Sequence, residues 1–218
     1  MTSSATGRRY GGRSPAERLA ERRARLLAAG LELFGTRGYA ATTIEALCSS
    51  ATVAPRYLYE QFPDREALLR AVYDEVLGHV RHEILTANHA APAEMLPRMR
   101  AGVGALVGAM LCDERRARIV YFEVIGVSPA LEAHRRAMLH AFRDVVIAEA
   151  QELIAAGELP DRGDLSLTAM ALIGAANELL QDWLASDDRP PVEALVDTLV
   201  DVYAATLTGP PPRAGAVD

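Results

Sequence analysis

The stretch Thr42–Phe62, TTIEALCSSATVAPRYLYEQF, constrains the fold more than any other part of this chain. Thr42 can cap a helix, with Glu45 three positions on at the spacing of a capping box. Ile44, Leu47 and Cys48 then put apolar side chains on one helical face. The pattern breaks at Ser49-Ser50-Ala51-Thr52 and restarts after Val53-Ala54. Pro55 falls in a first turn, where its missing N–H costs little. In the second helix Leu58 and Phe62 lie four apart and face inward, which leaves Arg56, Tyr57, Tyr59 and Gln61 outside. A short helix with an apolar anchor below and Arg, Tyr and Gln above suits a DNA major groove. Arg and Gln can bond base edges, and Tyr can reach a phosphate or a thymine methyl. The same spacing also suits an ordinary αα-corner with a solvated polar face, so the flanking sequence has to decide.

Upstream stands RRARLLAAGLELFGTRGYAATTI and downstream FPDREALLRAVYDEV. A first helix ends in Leu33-Phe34; Gly38-Tyr39 and Thr42-Thr43-Ile44 follow. Then come Leu58-Tyr59 with Phe62, and Asp64-Arg65-Glu66 with Leu68-Leu69. In this order and spacing, Arg22–Val76 resembles the DNA-binding domain of TetR-type transcriptional regulators. The resemblance departs at Thr52, where the inter-helix turn usually has Gly, and at Ala54, where the recognition helix usually opens with Ser or Thr. A positive φ at Thr52 would be strained, and Ala54 cannot cap.

Charge is distributed as this reading requires. The formal net charge is −6, and all 23 basic residues are Arg. Residues 1–70 hold 11 Arg against 7 acidic residues, +4, while 71–218 hold 12 against 22, −10. A basic end on an acidic body suits a polyanion partner at one end only. Residues 1–13, with Arg8, Arg9 and Arg13, read as a disordered basic arm. Two cysteines, Cys48 and Cys112, are too few for a disulfide framework and read as buried thiols of a cytoplasmic protein. The N-terminus lacks an apolar signal segment.

The chain reads as all-α, about nine helices. Ser14-Pro15-Ala16-Glu17 starts the first, which runs to about Phe34 and ends at Gly35 or Gly38. With the two short helices it makes a helix-turn-helix head over residues 14–63. Residues 64–208 form a helical body, and 209–218 a Pro-rich tail. The fourth helix is capped by Asp64 and continues to about His89; His79, His82 and His89 along it read as a solvated or pocket-edge stripe. The fifth reaches Leu111 and carries Gly102, Gly104 and Gly108, which permit close approach of a neighbour or ligand. The sixth is expected over Glu114–Ile125 with Ile119, Phe122 and Ile125 inward. Ser128-Pro129 opens the seventh and Gly157 stops it; the eighth spans about Leu165–Leu184 and the ninth Pro191–Leu207. The last two are apolar over more surface than one core needs, so they are expected to pack on their copies in a two-fold homodimer.

Two identical heads would set recognition helices in successive major grooves, about 34–36 Å apart, on a pseudo-palindrome. Arg56, Tyr57 and Gln61 are expected at base edges and Thr42, Thr43, Tyr59 and Arg65 at phosphates, with Pro55 opening the DNA-facing helix. By the resemblance, the body senses a small molecule in a mostly apolar pocket enclosed by the fourth to eighth helices. Candidate lining residues are Met99, Met110, Phe122, Met138, Phe142, Asn177 and Trp183, with Glu123 as a polar anchor. Ligand would release the DNA, and family habit favours repression. A dimer without an inducer, or a helical interaction module, are the alternatives. No enzyme motif (GxxxxGK[ST], GxSxG, HExxH or CxxC) is present, and neither a metal nor a cofactor is expected.

Overall fold

The computed structural model describes residues 14–209. The basic arm and all of the Pro-rich tail beyond Gly209 lie outside the described residues. Within them the chain is entirely helical: α1 (Pro15–Arg37), α2 (Ile44–Ala51), α3 (Pro55–Tyr59), α4 (Arg65–Ala90), α5 (Met95–Leu111), α6 (Glu114–Arg118), a π-helical turn (Ile119–Glu123), α7 (Pro129–Ala155), α8 (Ser166–Ala185) and α9 (Val192–Thr208).

Local chemistry sets most boundaries. At α1 the Ser14 hydroxyl accepts from Glu17 N (3.1 Å) while the Ser14 N–H donates to the Glu17 carboxylate (2.6 Å), the expected capping box. The helix runs past Gly35 and stops at Gly38, where φ is 89°. Gly35 serves packing instead: a Cβ there would stand 2.5 Å from the Arg115 Cβ, so α1 and α6 meet backbone to backbone. The second helix differs from expectation. Its cap is Thr43, whose hydroxyl accepts from Ala46 N (3.2 Å), not Thr42. Thr42 is 1% exposed, and its hydroxyl donates to the Leu33 and Gly38 carbonyls at 3.2 and 2.8 Å. It closes the turn out of α1, because a carbonyl freed by a helix end must find a donor. Asp64 and Ser128 cap α4 and α7 as expected, accepting from Ala67 N and Leu131 N.

The sixth helix is interrupted. After Arg118 the backbone widens into the π turn, and the inward set becomes Ile119, Tyr121 and Val124. Phe122 and Ile125, expected inside at α-helical spacing, are 43% and 50% exposed. An extra residue per turn shifts the phase of everything after it. Cys112 is exposed rather than buried, at the C-cap of α5.

One hydrophobic cluster runs from Leu26 in α1 through Leu47, Leu58 and Phe62 of the short helices, along α4, to Leu199 and Val200 in α9. A second, with Ala150, Leu153, Leu159, Leu165, Leu172 and Leu207, closes the far end of the body. α4 packs on α1 near the head and on α5 along the body, so it is shared by both. No single helix among the described residues is long and apolar enough to cross a membrane.

Candidate nucleic-acid interface and ligand cavity

Leu58 and Phe62 are buried, as the anchor requires, and α3 is thereby fixed with one side outward. Pro55, Arg56 and Tyr59 are exposed there, Tyr59 at 55%; Thr43 is exposed beside them at the start of α2. Tyr57 is half-buried. The guanidinium of Arg22 lies 4.1 Å from its ring centroid and that of Arg56 4.5 Å, and Arg56 Nη2 donates to its hydroxyl at 2.5 Å. Three expected contacts are turned inward instead. Thr42 is the buried turn residue. Gln61 lies past the end of α3, and its Nε2 donates to the Leu19 carbonyl of α1 (3.3 Å). Arg65 donates to the Thr42 carbonyl and lies over the Tyr39 ring, 4.1 Å from its centroid. Five residues of helix are too few to carry the outer face on to Gln61, and the chain returns to α1 there.

The turn between the helices holds Thr52 at φ 53° and ψ 50°, the one non-glycine with positive φ among the described residues. The strain anticipated at this departure from glycine is therefore present. Its carbonyl accepts from Arg25 Nη1 (3.4 Å), and Arg23 stacks on Phe62 at 4.8 Å. An arginine edge on α1, Arg22, Arg23 and Arg25, thus frames the recognition helix. It was legible in the run RRAR, but only the fold shows that it abuts α3.

In the body, α4, α5, the π turn, α7, α8 and α9 line a half-open cavity of about 200 Å³. Ninth-helix residues Tyr203 and Leu207 join the expected walls. Met99, Met110, Phe142 and Asn177 line it as expected. The other four candidates do not. Phe122 is on the outer surface, and Met138 packs half-buried against the core. The Trp183 indole N–H donates to the Pro190 carbonyl (2.8 Å) under the Arg189 guanidinium. Glu123 points toward the head, where its carboxylate accepts from Tyr39 N (2.6 Å) and Arg118 Nε (3.1 Å). Besides further apolar wall residues such as Leu77, Ile84 and Val103, sequence reasoning missed a set of polar ones. Burial pushes the Tyr73 phenol up to about 12 and moves Tyr121 and Tyr203 upward as well. Tyr203 donates to the Leu172 carbonyl (2.7 Å). Asn88, Arg98 and Glu149 line the end farthest from the head.

Comparison with known proteins follows both halves of this description. A family model described as bacterial regulatory proteins, tetR family, matches residues 26–72, and one described as a tetracyclin repressor-like C-terminal domain matches 92–207. The HTH-type transcriptional activator FasR of Mycolicibacterium smegmatis is 27% identical over 190 residues, 85% of this chain and 81% of that protein. The fatty acid metabolism regulator protein of Bacillus subtilis is 20% identical, over 84% of this chain and 93% of its own length. Among solved structures, FadR of Bacillus halodurans superposes with a TM-score of 0.76 at 17% identity, covering 88% of this chain and 96% of that one. FadR of B. subtilis in complex with stearoyl-CoA gives 0.76 at 16%, covering 84% and 98%.

Proposed function

This chain belongs to the tetR family of bacterial regulatory proteins and is a transcriptional regulator, and from that premise we propose that a long-chain acyl ligand in the body sets its hold on a palindromic operator. One observation carries the reading: the cavity runs along α4, the helix that also packs against α1 of the head. Tyr73, Leu77, Ile84 and Asn88 line it, while Leu68 and Leu69 of the same helix are buried with α1. Tyr73 to Asn88 is 15 residues, about 22 Å of helix at ~1.5 Å each. A chain extended at roughly 1.2 Å per bond, as a three-bond residue is, needs about 18 bonds to cover that length. This is the reach of a long acyl chain, and two of the relatives above, the fatty acid metabolism regulator protein of B. subtilis and the fatty acid degradation regulator FadR of B. halodurans, are regulators of fatty acid metabolism by name.

The cavity is smaller than the roughly 300–1,000 Å³ of occupied small-molecule sites. A long ligand must therefore spread its walls. Two elements would carry that movement to the head. α4 is one. The π turn is the other: Val120 and Tyr121 face the cavity while Glu123 grips the Tyr39 N–H. A complete switch needs the ligand to prefer the released state by ~5.5 kcal/mol.

On the DNA side, Pro55, Arg56 and Tyr57 are assigned to base edges and Thr43 and Tyr59 to phosphates. The head ends near residue 63, and the cytoplasmic homodimer forms through α8 and α9. Leu167 on α8 is 86% exposed and Val202 on α9 40%, as an uncovered interface would leave them. Release from an operator that overlaps a promoter relieves repression. The test is fluorescence anisotropy with operator selected from genomic fragments, at fixed salt, with and without stearoyl-CoA. Loss of binding on adding the acyl compound supports the reading; equal binding with and without it removes the sensor role.

A further inference from the structure

At the far end of the cavity three polar atoms are buried without a hydrogen-bond partner: Asn88 Oδ1, Arg98 Nε and Glu149 Oε2. They belong to the last turns of α4, the first turn of α5 and the later part of α7, and all three residues line the cavity. Asn88 is 6% exposed, and its Oδ1 rests against Gly102, where a Cβ would stand only 2.4 Å away. Arg98 precedes Gly102 by one helical turn. Its Nε stands 3.3 Å from Glu149 Oε2 without the alignment of a hydrogen bond, and its Nη2 is 2.8 Å from Glu152 Oε2.

Arg98 Nε and Glu149 Oε2 hold each other as an ion pair, but Asn88 Oδ1 has no partner. A buried polar atom with none costs free energy, so this end of the cavity favours an occupant that can donate to it. Its charge narrows the choice. One guanidinium faces two carboxylates, Glu149 and Glu152, and Glu158 is close by, accepting from Met95 N at 3.3 Å. The buried pair of Arg98 and Glu149 is neutral as a whole, and the exposed Glu152 and Glu158 add only negative charge at its rim, so a ligand carboxylate or phosphate finds no unpaired cation there. A group that both donates and accepts without charge would satisfy Asn88 Oδ1 and meet the pair beside it. We propose that Asn88, Arg98 and Glu149 form a seat for an uncharged amide or hydroxyl on the ligand, whose apolar chain runs from there toward Tyr73 and Tyr121. This rests on the acyl-ligand reading and adds to it the polarity of the head group and its place in the cavity. An apolar chain that ends in a carboxylate is then a poor ligand, and one that ends in a neutral amide a good one. The Cα–H at Gly102 is what lets the Asn88 amide lie flat against α5.

The experiment is calorimetric titration of the full chain with N-(2-hydroxyethyl)hexadecanamide and with hexadecanoate, alongside stearoyl-CoA. The amide is expected to bind at least about tenfold tighter than the acid. Asn88→Leu is nearly isosteric and removes the orphan carbonyl. It should weaken amide binding by about tenfold, change acid binding by less than about threefold, and raise the melting temperature of the empty protein. Gly102→Ala, which pushes on Oδ1, is the second variant and should lower amide affinity in the same sense without altering charge. Acid binding as tight as amide binding, or equal loss of both in Asn88→Leu and Gly102→Ala, overturns the proposal and leaves the acyl reading standing. Binding of stearoyl-CoA without binding of the amide has the same meaning. Failure of all three compounds to bind overturns both.

Discussion

The head and the body treat their polar groups in opposite ways. Around α2 and α3, Thr42, Gln61, Arg65 and Arg25 each bond a backbone carbonyl of a neighbouring segment, and Tyr57 lies between two guanidinium groups. In the body, the cavity's far end keeps Asn88, Arg98 and Glu149 with unmatched atoms. A reader of DNA gains from a surface whose side chains are already fixed, since less freedom is then lost on binding. A sensor gains from groups that only a ligand completes. The contrast assigns rigidity to the part that meets DNA and incompleteness to the part that meets the small molecule.

The largest effect expected from breaking this contrast is at the anchor of the head. Leu58→Ala empties a fully buried site and should cost about 2–5 kcal/mol, read as a drop in the denaturation midpoint with loss of operator binding. Arg56→Ala leaves the fold intact and should remove about 1–3 kcal/mol of discrimination between operator and mismatched DNA in a gel-shift titration. Equal loss on both DNAs would make Arg56 a phosphate contact instead. Glu123→Ala cuts the link between the π turn and Tyr39 N, so acyl binding should persist while its effect on operator affinity falls by about 0.5–2 kcal/mol. Thr52→Gly relieves the left-handed strain of the inter-helix turn and should stabilise by about 0.5–1 kcal/mol in urea denaturation.

The last test concerns pH. Burial raises the folded Tyr73 pKa to about 12, above the ordinary value of about 10. The neutral phenol is favoured in the fold, so this contribution is complete below pH about 10 and is lost as pH rises from there through about 12. Tyr73→Phe should leave neutral-pH stability nearly unchanged and shrink the alkaline loss; an identical alkaline profile would place the cause in Tyr121 or Tyr203.

Legibility followed the range of the interactions. The capping box at Ser14, the caps at Asp64 and Ser128, the anchor of Leu58 and Phe62, and the strained turn at Thr52 are set within a few residues, and sequence spacing finds them. Gln61 and Arg65 were misread because their partners, the Leu19 and Thr42 carbonyls, lie 42 and 23 residues away. Phe122 and Glu123 were misread because the π turn shifts the helical phase, and α-helical periodicity cannot announce it. Trp183 looked like a cavity residue by type, yet its N–H found the Pro190 carbonyl outside.

By itself the sequence determined the helical order, the two-part plan and the anchored recognition helix, because caps, turns and apolar periodicity are local. Only the tertiary structure decided which polar side chains are free for DNA, which line the cavity, and that α4 and the π turn touch both. Those facts depend on donors and acceptors brought together from distant parts of the chain, and a one-dimensional pattern carries no record of which of them will meet.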